Sequence, residues 1–179
     1  VGWDGATQTV TLDYRDVSYE SISFYRKFIA RLSEGAGLVV ASSPSYFAYL
    51  PSKNPVLLKH NLLFSKDHPN PRRGGSPVRV RYWGMIRHLE ANLALVDELG
   101  GDERFELHYN GREEKVAAAL KERVCKRGYR NIFFHGAYLP NERVSFAIDT
   151  DLLHNVYEND FATIGAMGNK YYDGIQFRI

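Results

Sequence analysis

The sequence is short of cysteine. Cys125 is the only one in 179 residues, so no intramolecular disulfide framework holds the fold. Long apolar runs are missing too, and none reaches the roughly 18 to 20 residues needed to cross a bilayer. The opening, VGWDG, lacks the basic and apolar regions of a secretory signal. An excess of one charge sign is nearly absent: 23 Lys and Arg stand against 21 Asp and Glu, a balance of +2 with no dense basic face for nucleic acid. No GxGxxG, GxxxxGK[ST], HExxH or GxSxG stretch occurs. Those absences turn the reading away from dinucleotide enzymes, P-loop NTPases, zinc proteases and serine hydrolases. Internal repeats and low-complexity tracts are absent as well.

What is present is alternation. With 44% hydrophobic residues the chain can build one medium domain or two small ones. TVTLDY (Thr9 to Tyr14) reads as a buried strand. Ser18 to Leu32 carries Ile22, Phe24, Tyr25, Phe28, Ile29 and Leu32 at helical spacing, which predicts an amphipathic helix stopped by Gly35 and Gly37. GLVVASS, SPSYFAYL and PVLLKHNLL follow as strand, short helix and strand. SKDHPNPRRGGSP, Ser65 to Pro77, concentrates proline, glycine and charge and reads as a linker. It separates a half at 1–64 from a second at 78–179.

The second half restarts the alternation. VRVRYWGMI is a strand, and His88 to Leu99 a helix with Leu89, Leu93, Val96 and Leu99 inward. FELHYNG, EEKVAAALKERVCKRG, RNIFFHGAY, PNERVSFAI and DLLHNVY continue as strand, helix, strand, short helix and strand. A helix is expected over Thr163 to Gly174, and QFRI reads as the start of another strand. The chain starts at Val1 and stops within that run, so both ends read as internal to a fold and a truncated chain is expected. Apolar strands alternating with helices predict an α/β protein with Rossmann-like parallel sheets covered on both faces.

In such a sheet, ligands lie at the carboxyl ends of the strands beside helix N-termini. Gly84, Gly111 and Gly136 end three successive strands there, which suits either close approach to a nucleotide or simple turns. Arg87 stands where a guanidinium and a helix N-terminus can face one diphosphate, or where an arginine is merely solvated. In GNKYYDGI, Lys170 reads as a phosphate contact or as helix decoration, and Asp173 as a ribose contact or an exposed acid. Asp149-Thr150-Asp151 has the DxD form of some metal-dependent sugar transferases, but it precedes its strand and so faces the opposite edge. Asp13 to Asp16 ends the first strand with three charges, either at a cleft or with Asp16 capping the next helix. Cys125 lies within a helix and is expected to be buried rather than nucleophilic.

These pieces in this order resemble the GT-B glycosyltransferases, particularly the large retaining class called family 4. LDYRDVSYE, VVASSPSYFAYLP and VLLKHN look like the end of the acceptor-side half. VRVRYWGMIRHLEANLALVDEL, FELHYNG, NIFFHGAY and GNKYYDGI look like the sugar-nucleotide half. The resemblance implies a GT-B-type fold, here the C-terminal nucleotide-sugar domain with the end of the N-terminal one. Gly84 and Arg87 would face the donor diphosphate, Gly136 and Tyr138 the nucleobase, Asn169 and Lys170 the phosphates, and Asp173 the ribose. The family pairs two acids eight positions apart. With Asp173 as the second, Gly165 stands in the first position, and Glu158 and Asp160 are the nearest acids.

The implied activity moves a sugar from a nucleoside-diphosphate sugar to a saccharide or lipid-linked acceptor, with Arg87 and Lys170 stabilising the leaving diphosphate and no metal or other cofactor. Surface-polysaccharide synthesis in the cytoplasm, at the inner face of a membrane with peripheral association, goes with that reading, and nucleic acid does not. A non-catalytic nucleotide- or sugar-binding module and a nucleotide-sugar epimerase share the architecture.

Overall fold

A computed structural model describes residues 10–60, 74–158, 163, 165–166 and 168–179. The chain forms two compact units. The first is built on residues 10–60 together with 163 and 165–166, the second on residues 74–158 and 168–179.

The first unit contains β1 (Thr11–Tyr14), α1 (Ser23–Gly35), β2 (Leu38–Ala41), a 3-10 turn at Pro44–Tyr49 and β3 (Val56–Leu58). Its strands pair in parallel in the order β1-β2-β3. Val39, Ala41, Tyr14, Ile29, Tyr46 and Leu50 form its core. Glu20 is buried there because Tyr14 Oη and the Ser18 amide donate to its carboxylate. Burial and that carboxylate together raise the Tyr14 phenol well above its ordinary range. The Gly165 carbonyl accepts from the Ser43 and Ser45 hydroxyls at 2.6 and 2.7 Å.

The helical period expected from Ser18 is present, but it begins at Ser23 and its apolar stripe turns the other way. Ile29 and Ser33 are buried, whereas Ile22, Phe24, Phe28 and Leu32 are exposed, Phe24 to 81%. Periodicity marks a stripe; it does not say which stripe meets the sheet.

The second unit contains β4 (Val78–Trp83), α2 (Leu89–Leu99), β5 (Phe105–Asn110), α3 (Lys115–Arg127), β6 (Ile132–Phe134), α4 (Arg143–Ala147), β7 (Leu152–Leu153) and α5 (Asn169–Phe177). All pairings are parallel, in the order β6-β5-β4-β7. Counted within this sheet the order is 3-2-1-4, so the direction of winding reverses between β4 and β7, as in doubly wound Rossmann-like sheets.

Strand alternation sorts the side chains onto two unlike faces. Val80, Tyr82, Leu107, Tyr109 and Ile132 pack with Val96 of α2 and with Ala117 and Leu120 of α3 into the main core. The opposite face carries Arg79, Arg81 and Trp83 on β4 against Glu106, His108 and Asn110 on β5. Trp83 joins Ala147 and Phe177 in a smaller cluster on that side.

Three sequence expectations are corrected here. QFRI is not a strand: Gln176 and Phe177 close α5, Arg178 takes a left-handed φ of 58°, and the Ile179 amide returns to the Gly174 carbonyl at 3.0 Å. Burial of Phe177 against Trp83 favours the helical ending over an extended one. The final helix begins at Asn169, not Thr163. Cys125 is exposed, because α3 turns Ala117 and Leu120 inward instead. The linker read at Ser65 to Pro77 lies outside the described residues as far as residue 73.

Candidate functional site

The reversal between β4 and β7 sets the place to look, since doubly wound sheets bind ligands at the carboxyl ends of the strands where the strand order reverses. β4 leads into Gly84, Met85, Ile86, Arg87 and His88, and β7 into His154 to Glu158. α5 brings its N-terminus to the same edge, because Lys170 packs on Tyr82 of β4 and on Tyr157 beyond β7.

The glycine rim is real. Gly84 has φ 111° and Gly136 φ 76°, values that favour glycine. The Gly84 amide bonds to Asn110 O at 3.0 Å and the Gly111 amide to Gly136 O at 2.7 Å. A Cβ on Gly111 would lie 1.6 Å from the Gly84 carbonyl oxygen, so the close approach of these turns excludes any side chain there. Gly84, Met85, Gly111, Arg112, Ala137 and Tyr138 enclose a hollow of about 250 Å³ at the carboxyl ends of β4, β5 and β6. Tyr138 is held over it by an edge-on contact with Phe146 at 5.0 Å. A larger hollow of about 390 Å³ opens elsewhere on the unit, lined in part by Phe105, Glu106, Asn131 and Phe133. There the Asn131 amide already donates to three carbonyls, those of Leu99, Asp102 and Phe105, which marks it as a brace of the fold.

Arg87 is exposed, with its Nε 3.0 Å from Met85 Sδ, and the loop that carries it is fixed from below. Buried Asn92 donates to the Arg87 carbonyl at 2.6 Å and the His88 carbonyl at 2.9 Å, and its Oδ1 accepts from His154 Nε2 at 3.1 Å. Tyr82 Oη donates to the Met85 carbonyl at 2.6 Å. His88 sits in the left-handed region at φ 61°, a strained conformation for a residue with a Cβ. Its ring meets Tyr157 edge-on at 5.1 Å, and its Nδ1 is 3.8 Å from Glu158.

Lys170 is the central group. It is 8% exposed, and its Nζ lies 4.1 Å from the centre of the Tyr82 ring and 4.9 Å from that of Tyr157. Among the described residues its ammonium has no hydrogen-bond or ion-pair partner. Burial, with Arg87 adding to it and Asp173 opposing, lowers its pKa to about 8. Gly168 makes the approach of Tyr157 possible, since a Cβ there would meet the phenol oxygen at 2.3 Å. Asn169 opens α5 and is exposed.

Asp173 faces inward. Arg143 Nη1 donates to both its oxygens at 2.8 and 2.9 Å, and the Trp83 indole donates to Oδ2 at 2.8 Å. The structure therefore brings Gly84, Arg87, Asn169 and Lys170 to one strand edge and places Gly136 and Tyr138 beside it. Asp173 it draws into the wall.

Sequence reasoning missed Tyr82, Asn92, His154 and Tyr157. Asn92 left a signal, since it stands on the inward stripe of α2 three residues after Leu89 and four before Val96. A buried amide needs partners, and here they are the loop carbonyls. The DTD stretch lies at the opposite edge, as expected. Asp149 pairs with Arg79 and lies 3.8 Å from Arg81, Thr150 accepts from Arg81 Nε at 3.1 Å, and Asp151 accepts from the Arg79 amide at 2.8 Å.

No protein-family model and no curated protein matches the chain. No described helix is long and apolar enough to cross a membrane.

Proposed function

We propose that the second unit is the nucleotide-sugar side of a GT-B-type glycosyltransferase and that the carboxyl edge of β4 and β7 receives the donor diphosphate. One observation carries the reading: Lys170 is a buried ammonium with no ion-pair partner among the described residues, at a helix N-terminus and at the reversal of strand order. A cation is rarely kept from water without an anion to meet it, and helix amides add to the same attraction. Exposed Arg87, on a loop held by Asn92, supplies a second positive group.

In this reading the base lies against Gly136 and Tyr138, and Asn169 contacts a phosphate. Asp173 serves by anchoring α5 through Arg143 and Trp83. Transfer leaves negative charge on the β-phosphate, and fixed cations and amides stabilise that charge without reorganising, the preorganised electrostatics that often dominate catalysis. The donor is a nucleoside-diphosphate sugar and the acceptor a saccharide or lipid-linked saccharide.

Calorimetry of the chain against UDP, GDP and their sugars tests this. Binding to one of them, weakened by Arg87→Gln, is expected; silence toward all of them removes the reading. A non-catalytic nucleotide-binding module would bind as well, and the presence or absence of sugar transfer separates the two.

A further inference from the structure

Among the described residues Lys170 is the only buried lysine. Other buried charges of the second unit are matched: Arg81 donates to Thr150 and Asn110, and Asp173 accepts from Arg143 and Trp83. Lys170 has two ring faces in place of an acid. Aromatic faces attract a cation, but they replace only part of the hydration it loses.

Every element packed around the amine contributes a group. β4 supplies the Tyr82 phenol, pushed up to about 12 by burial and so neutral. The following loop supplies the positive charge of Arg87, and His88 beside Glu158. The stretch after β7 supplies His154, which burial and nearby positive charge keep neutral. Tyr157 closes the site, its phenol also raised by burial. Its own helix supplies Asp173, whose charge is met by Arg143. The nearest fixed charges thus oppose the ammonium more than they support it.

Resting on the reading of this strand edge as an anion site, we propose that anion binding there is proton-linked through Lys170, the buried amine with two ring faces and no acid beside it: the occupied site holds an ammonium, and its proton is taken up as the anion arrives. The step is a proton exchange with water, from ammonium to amine and back, with no other reactant. An arriving diphosphate supplies the missing counter-charge and raises the proton affinity of the amine. By reciprocal linkage, each unit of that rise means about tenfold tighter binding to the ammonium form. Affinity is then highest below the empty-site midpoint and falls as the amine is titrated above it. An exposed phosphate-binding lysine would hold its affinity to a much higher pH.

The test follows the Cε resonances of the chain labelled with carbon-13 at lysine Cε, through a pH titration. It is run with chloride alone, with saturating sulfate at matched ionic strength, and with saturating UDP; sulfate does not titrate in the range used, and the uracil N3–H of UDP, which ionises toward its alkaline end, is followed separately by its ultraviolet absorbance. Lys170→Arg identifies the resonance by its loss, and the ring-current shift from Tyr82 and Tyr157 identifies it independently if that variant does not fold. One resonance is expected to titrate near pH 8 in chloride, and to move up by about one pH unit or more with either anion. A Lys170 midpoint grouped with the exposed lysines overturns the proposal, and so does a low midpoint that neither anion moves. If sulfate moves it and UDP does not, the proton-linked anion site stands and the nucleotide reading falls. If UDP binds by calorimetry without moving the midpoint, the linkage falls and the nucleotide reading stands.

Discussion

The two ends of the second sheet both gather positive charge, and they treat it in opposite ways. From the amino edge to the middle of β4, Arg79 and Arg81 meet Asp149, Glu106, Thr150 and, farther along β5, Asn110, so that both guanidinium groups have acceptors. At the carboxyl edge, Arg87 and Lys170 meet a helix N-terminus, two tyrosine rings and a methionine sulfur. Matched charge braces a fold, and the unmatched charge is what the proposed anion site rests on. The DTD stretch belongs to this amino-edge network: Asp149 and Thr150 meet Arg79 and Arg81, and Asp151 accepts from the Arg79 amide.

The largest effect should come from breaking a matched set. Asp173→Ala strands Arg143 and the Trp83 indole in a buried wall, and urea unfolding should show a loss of about 3–5 kcal/mol. Acid should do the same to the neutral histidines. Burial lowers His108 and His154 from 6.5 to about 4, so the unfolded chain binds protons first as pH falls. Their contribution is complete above pH 6.5 and is lost as pH falls toward 4. His108→Gln should flatten that part of the stability profile.

Breaking the unmatched set should act on binding instead. Arg87→Gln should weaken nucleotide binding by about 1–3 kcal/mol and leave the urea midpoint nearly unchanged, because Arg87 is exposed. Lys170→Met should give the smallest change, a gain in stability of about 0.5–1 kcal/mol at pH 7 with lost anion binding. The sign follows from linkage: a lysine lowered to about 8 is destabilising while it stays charged, and that cost shrinks as pH rises from 8 toward 10.5. A destabilised Lys170→Met would place the ammonium among the matched charges.

Much of the architecture was legible along the chain. The strand-helix alternation, the three strand-end glycines and the inward stripe of α2 depend on local periodicity and turn chemistry, which neighbouring residues set. Arg87 and Lys170 were legible as candidates because basic residues at strand ends and helix starts are local facts. The orientation of α1 was not legible, because its two stripes are both apolar enough to be buried. Asp173 was ambiguous for a similar reason. A carboxylate in a helix reads alike whether it meets ribose or an arginine 30 residues away.

The sequence by itself determined the elements, their order and the kinds of side chain at each strand end, because each follows from spacing within a few residues. Only the tertiary structure decided which charges are satisfied. Asp173 lies 90 residues from Trp83, Arg81 lies 69 from Thr150, and the Tyr82 ring reaches Lys170 only when α5 folds over β4. Whether a charge is matched is a property of the space around it, and packing distant strands and helices together creates that space.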